Sequence, residues 1–174
     1  MPNHVHLIAI PSDESSLAVL LRRVHGRYAQ YYNAKAGRIG HLWQNRYFSC
    51  MLGPGHLVRA LLYVDLNPVR GGLVRSATSY VWSSAAAHAW GADATGLMDT
   101  QRWRGLEAAS RWAETLSERP ENSAEYAELR RCTFAGRPFG GREFVSEMGA
   151  LFGRRWRRFS SGCTELTNAA GTSH

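Results

Sequence analysis

Two histidines near the start of the chain are the first residues whose type and spacing could do chemistry. His4 and His6 are separated by a single valine, and residues two apart on a β-strand point to the same face of a sheet. Two neighbouring imidazoles can bind a borderline divalent cation. The apolar residues 7–10 that follow favour a strand buried on both faces. The alternative is two polar side chains at a strand edge, with no ligand between them.

A tyrosine and an asparagine farther along the chain form a second candidate pair. Tyr63 and Asn67 are four residues apart, so they share one face of a helix. Pro68 disfavours helical geometry at Asn67, and the predicted helix therefore ends about there. Such a helix would present a phenol and an amide together from its last turns. The alternative is a half-buried tyrosine that packs on the core and an asparagine that caps the helix.

Aromatic and basic side chains come together in the segment between these two pairs. Trp43, Gln44 and Arg46 follow a basic loop that contains glycine and Arg38. An aromatic ring beside amide and guanidinium groups suits stacking on an unpaired base together with phosphate contact. The alternative is that Trp43 only anchors the loop in the core. Residues 47–52 then predict another strand.

The positive charge of the chain is concentrated in its first half. The net charge is +7; residues 1–80 carry nine Lys and Arg against three acidic residues, and residues 81–174 carry twelve against eleven. A basic surplus around the histidines and the tyrosine favours a polyanion near the chemistry. The alternative is a compositional bias, because every basic residue except Lys35 is arginine.

Composition limits the class of protein further. A chain of 174 residues, 44% of them hydrophobic, can bury a core in one domain or in one domain plus an appendage. No apolar run approaches the ~18 residues of a membrane span, and no signal-peptide pattern is present. Cys50, Cys132 and Cys163 are far apart and unpatterned, which favours a reducing cytoplasm. His41 and His56 are alternative metal ligands.

Hydrophobic periodicity predicts the helices that would support these residues. The predicted helices cover residues 16–33, residues 101–131 with a break at 120–123, and residues 142–152. Three tyrosines on the first helix are rival nucleophiles or packing residues: Tyr28, Tyr31 and Tyr32. The later short helices could form a DNA-binding pair or a scaffold. We divide the chain into a domain over 1–90, a helical extension over 91–159 and a disordered tail over 160–174.

Three sequence blocks occur in an order that resembles a known family. They are residues 1–7 (MPNHVHL), 40–47 (GHLWQNRY) and 63–74 (YVDLNPVRGGLV). In this order they resemble the REP-associated tyrosine transposases, which are relatives of the HUH single-strand transposases of small insertion sequences. Residues 136–145 (GRPFGGREFV) resemble the C-terminal extension of many members.

The resemblance implies an α+β fold. The expected core is the ferredoxin-like HUH-endonuclease sandwich, in which an antiparallel sheet carries the two histidines and the tyrosine helix lies against it. Members usually carry a strand, a helix and another strand ahead of the histidines. We therefore expect a catalytic domain that is incomplete at its N-terminus, with unpaired strand edges, followed by a helical C-terminal extension.

The resemblance also implies a mechanism for cutting single-stranded DNA. His4, His6 and Asn67 would hold Mg²⁺ or Mn²⁺, and Tyr63 would form a 5′-phosphotyrosine intermediate at palindromic repeats that fold as hairpins. The expected DNA-contacting residues are Arg38, Trp43, Gln44, Arg46 and Arg70, and the expected protein is a monomer or a homodimer. Two alternatives remain: a truncated, non-catalytic protein that binds DNA hairpins, and a metal-dependent hydrolase of small molecules.

Overall fold

The protein folds as a set of helices, and the predicted ferredoxin-like sandwich is wrong. The computed structural model describes residues 1, 3–44, 46–118 and 123–156. Within them no β-sheet forms, and the single β-bridge is an isolated parallel one between Leu52 and Phe139. The α-helices of this part of the chain are α1 (Ser16–Ala36), α2 (Leu57–Arg70), α3 (Ala85–Trp90), α4 (Thr100–Arg104), α5 (Trp112–Glu118), α6 (Ser123–Ala135) and α7 (Arg142–Leu151).

The predicted strand at the histidines is instead an irregular segment without a pairing partner. Val5, Leu7 and Ile10 are 58–63% exposed, whereas Ile8 packs against a core cluster. A strand is stabilised by its neighbours in a ladder, and the described residues offer none. Residues 47–52 likewise form no strand apart from the bridge at Leu52.

Helix α1 confirms the predicted helix over residues 16–33 and extends it to Ala36. It ends at Gly37, whose φ of 59° lies in the left-handed region that glycine adopts without penalty. Ser15 occupies the N-cap position without a side-chain bond to the helix. Asp13 accepts hydrogen bonds from the backbone and hydroxyl of Ser15, which orders the turn just before the helix.

Helix α2 lies between two hydrophobic clusters and organises the fold. One face contributes Ala60 and Tyr63 to a cluster that α6 completes. The other face contributes Leu66 to a second cluster, which contains Trp103 and Trp112. Each cluster thus combines residues from the first half of the chain with residues from its second half. The domain boundary at residue 90 stays a prediction, and the predicted tail over 160–174 lies outside the described residues.

The end of α2 differs from the prediction. The helix continues through Pro68 to Arg70 instead of ending at Asn67. Proline supplies no N–H to the helix ladder, but the turn after it is closed by two bonds: Gly71 N donates to Asn67 O, and Leu73 N donates to Pro68 O. The extra turn gives Tyr63, Asn67 and Arg70 the spacing i, i+4, i+7, which is that of a single helix face.

None of the described helices is long and apolar enough to cross a membrane.

Candidate active site

The structure brings the two histidines and the tyrosine together. The rings of His4 and His6 lie edge to face with centroids 4.9 Å apart, and the ring of His6 meets that of Tyr63 edge to face at 5.4 Å. Although the histidines are not on a strand, both rings therefore lie on one side of the N-terminal segment. The side chain of Met1 packs closely on Gly71: a Cβ added to Gly71 would lie 2.9 Å from the Cε atom of Met1. Met1 therefore lies against the end of α2.

The pKa of both imidazoles is lowered, which favours the neutral form, the form that binds metals. Burial is the largest cause that lowers the pKa of His6 from 6.5 to about 4, and the charges of His4, the N-terminus, Arg70 and Arg130 are the further causes. Burial, the N-terminus and Arg130 also lower the pKa of His4. His4 Nδ1 donates to Asn3 Oδ1 at 2.7 Å, so its Nε2 carries the lone pair.

This depressed pKa makes a testable prediction about stability. Between pH 6.5 and about 4, the unfolded chain binds a proton at His6 that the folded chain does not. The free energy of unfolding should therefore fall as pH falls through this window, because protons favour the unfolded state. Urea denaturation of the metal-free protein, compared with His6→Gln, should show a shallower decline in the variant. His41→Gln, at an exposed loop position, should keep the full decline. Equal pH slopes in the wild type and His6→Gln would contradict the prediction.

Arg70, in the last turn of α2, contacts Tyr63 and Asn67 of the same helix. Its guanidinium lies 4.3 Å from the centroid of the Tyr63 ring. Its Nη2 donates to Tyr63 O at 2.9 Å and to Asn67 Oδ1 at 3.1 Å. Burial lowers the pKa of Arg70, an effect that the phenol oxygens of Tyr63 and Tyr126 oppose. A cation thus lies beside the phenol, where it would stabilise negative charge that develops on attack.

Helix α6 supplies residues of the candidate site that no pattern in the sequence indicated. The ring of Tyr126 meets that of Tyr63 at 5.4 Å, and Arg70 lies 4.7 Å from its centroid. Arg130 follows Tyr126 by one helical turn on the same face, and its charge acts on both histidines and on Arg70. Because α6 lies some sixty residues after Tyr63 in the chain, no local sequence pattern links the two.

Trp43, one of the expected DNA-contacting residues, packs on α1. Trp43 stacks on His25 with ring centroids 4.1 Å apart, and its Nε1 donates to His25 O at 3.0 Å. Its loop is also held by Asn33 Nδ2, which donates to Gly40 O. Anchoring by Trp43, the alternative to base stacking, is therefore present in the free protein. The exposed residues that flank it are Arg38, Gln44 and Arg46.

A buried polar network holds the opposite face of α2. Asp65 is fully buried and accepts from His88 Nδ1 at 2.7 Å, Trp112 Nε1 at 3.0 Å and Ser84 Oγ at 3.3 Å. Asp65 thus faces away from Tyr63 and ties the tyrosine helix to α3 and α5. The signal in the sequence is a single charge inside an apolar helical run (LLYVDL), which indicates a buried carboxylate that needs partners.

The residues predicted to hold a metal carry nitrogen and oxygen atoms that can act as ligands. Within the described part of the chain no three His, Cys, Asp or Glu side chains cluster, so a cation at this site would rely on the pair of His4 and His6. Asn67 Oδ1 already accepts from Arg70, but an amide oxygen has a second lone pair. The Nδ2 atom of Asn67 is buried without a hydrogen-bond partner.

Comparison with known proteins finds a similarity in the first part of the chain. Residues 1–66 of the 174 match the model of a family described as "Transposase IS200 like", so this part of the chain is similar to that transposase family. The match includes His4, His6 and Tyr63 and ends before Asn67, Arg70 and α6. No curated protein and no solved structure matches the chain.

Proposed function

We propose that the chain is a single-strand DNA endonuclease and strand transferase of the REP-associated tyrosine type, which acts at palindromic repeats that fold as hairpins. The observation that carries the proposal is the position of Tyr63, whose ring lies against His6 on one side and against Arg70 on another. All three residues come from the segments that resemble the family, and two of them lie within the matched residues 1–66.

In the proposed reaction Tyr63 is the nucleophile. Its phenolic oxygen attacks the scissile phosphorus, the bond from phosphorus to the 3′ oxygen breaks, and the phenolic proton is lost while the leaving oxygen becomes a 3′-OH. The 5′-phosphotyrosine conserves the energy of the phosphodiester, so a 3′-OH can later restore the strand. Arg70 would stabilise negative charge near the attacking oxygen of Tyr63. Its guanidinium is positioned by packing on the rings of Tyr63 and Tyr126.

A divalent cation, Mg²⁺ or Mn²⁺, would be held by His4, His6 and Asn67, and it would polarise an oxygen of the scissile phosphate. Imidazole and amide ligands carry no negative charge, so the bound cation would keep its full positive charge for the DNA phosphates. Trp43, Gln44, Arg38 and Arg46 would contact the single strand outside the reacting centre.

A second function, binding of DNA hairpins without cutting, is favoured by one observation. Among the described residues, the histidine segment belongs to no sheet that would fix it, and in-line attack requires fixed geometry. The two functions differ in one product, a covalent bond between protein and DNA.

The metal role is tested by replacing both candidate ligands. The double variant His4→Ala/His6→Ala should lose Mn²⁺-dependent cleavage of a labelled single-stranded hairpin, while its affinity for the uncut hairpin in EDTA stays within about threefold. Binding of Mn²⁺ without DNA, followed by electron paramagnetic resonance, should be lost in parallel. His41→Ala is the matched control and should behave as the wild type in each assay. Cleavage at the wild-type rate by the double variant would refute the metal role of this pair.

A further inference from the structure

A second phenol lies buried at the candidate active site without a hydrogen-bond partner. Tyr126 is only 9% exposed, and its hydroxyl is buried and unpaired. Buried hydroxyls are almost always hydrogen-bonded, because an unmade bond costs free energy. Asn67 Nδ2 is in the same condition. In the described part of the chain these are the only two buried side-chain polar atoms without a partner, and both belong to residues that surround Arg70.

Cations and hydrogen-bond donors surround Arg70, and the acceptors beside it, Tyr63 O and Asn67 Oδ1, already accept from its guanidinium. Arg70 lies 4.3 Å and 4.7 Å from the ring centroids of Tyr63 and Tyr126, and Arg130 follows Tyr126 by one turn of α6. The phenol and the amide nitrogen add O–H and N–H donors. The acidic neighbour of Tyr126 in the sequence, Glu125, is paired with Arg59 at 2.8 Å. A ligand with several acceptor oxygens and negative charge satisfies this set, and a phosphate has both.

We propose that Tyr126 and Arg130 of α6 form, together with Arg70, a subsite for a backbone phosphate of the DNA strand that Tyr63 attacks. The subsite rests on the proposed function for its ligand. It adds a role for the second half of the chain, because α6 lies beyond the residues that match the transposase family. The Tyr126 hydroxyl donates to a phosphate oxygen, and Arg130 supplies a charge from the same helix face.

The test measures DNA binding without chemistry. Fluorescence anisotropy of a labelled single-stranded hairpin is recorded in EDTA, over a series of salt concentrations, with the full chain and four variants. Tyr126→Phe removes one hydroxyl and should weaken binding about tenfold with an unchanged salt slope. Arg130→Gln should weaken binding and lower the slope of log affinity against log salt by about 1. Arg130→Lys should restore the slope. Arg102→Gln, at an exposed position of α4, is the charge-matched control and should leave both quantities unchanged.

Thermal unfolding separates this role from a purely structural one. Because the Tyr126 hydroxyl has no partner in the free protein, Tyr126→Phe should keep or raise the melting temperature, by up to about 4 °C. A melting temperature that falls by several degrees would show that the hydroxyl is bonded within the fold, and it would overturn the proposal. Wild-type binding by Tyr126→Phe and Arg130→Gln would overturn it as well.

Two further measurements identify the ligand and keep the two proposals apart. At matched ionic strength, millimolar inorganic phosphate should not displace the oligonucleotide; displacement would assign the subsite to a free anion instead of DNA. If the wild type forms no covalent adduct but the variants bind DNA as predicted, the proposed catalysis fails and the subsite stands. If the wild type forms the adduct and the variants bind DNA like the wild type, the subsite fails and the catalysis stands.

Discussion

Tyr63→Phe is expected to abolish the covalent adduct between the protein and DNA while leaving the fold almost unchanged. The variant loses a single oxygen. The ring contacts with His6, Tyr126 and Arg70 need only the ring, so the free energy of unfolding should change by less than about 1 kcal/mol. The attacking atom, however, is gone, and no adduct can form at this position.

The measurement is a denaturing gel of the protein incubated with a labelled single-stranded hairpin and Mg²⁺ or Mn²⁺. A band of retarded label in the wild type and its absence in Tyr63→Phe is the expected result. Tyr28→Phe is a matched control, because Tyr28 lies on the exposed face of α1 and contacts Tyr32 and Trp43 instead of the histidines. Tyr31 and Tyr32, the other rival nucleophiles, lie on the same helix.

An adduct that survives in Tyr63→Phe would move the nucleophile elsewhere. The structure gives the order in which alternatives should then be tested. Tyr126 comes first, because its ring lies 5.4 Å from that of Tyr63. Absence of an adduct in the wild type, with tight binding of the hairpin, would favour the non-catalytic function.

The sequence predicted the long helices, but the predicted sheet is wrong, and the predicted helix that begins at residue 101 is two shorter helices, α4 and α5. The helix over 16–33 was recognisable from apolar spacings of three and four residues, which few other structures produce. The run at residues 4–10 was ambiguous, because a short apolar stretch fits a strand only if other strands pair with it. Val5 and Leu7 are exposed in the structure because the described chain supplies no such partner.

The sequence predicted only the part of the candidate site that depends on local spacing. Tyr63 and Asn67 share a helix face by local spacing alone, and the continuation of α2 past Pro68 adds Arg70 to that face. Tyr126 reaches the site only through the packing of α6 on α2, which no local pattern encodes. The roles of His4 and His6 as metal ligands stay predictions, although the structure brings their rings within 4.9 Å.

Helix α2, which carries Tyr63, is also held by the network around Asp65 on its opposite face. A large loss of stability is expected when this network is broken. Asp65→Ala should destabilise the protein by about 3–5 kcal/mol, because it removes the acceptor of His88 and Trp112 and leaves buried donors unpaired. Trp112 is 1% exposed and His88 7% exposed, so both donors would lose their acceptor inside the core. A loss of this size is a large part of the stability of a typical domain.

Thermal unfolding followed by circular dichroism measures the effect, and a decrease of the melting temperature by on the order of 10 °C is expected for a chain of this length. Asp99→Ala is the matched control: Asp99 caps α4 through a bond to the backbone N–H of Arg102, and its loss should cost only about 1 kcal/mol. Ser84→Ala removes the longest of the three bonds to Asp65, at 3.3 Å, and should cost less than Asp65→Ala. If Asp65→Ala melts at the wild-type temperature, the network does not stabilise α2, and the position of Tyr63 must depend on the contacts of its own face with α6.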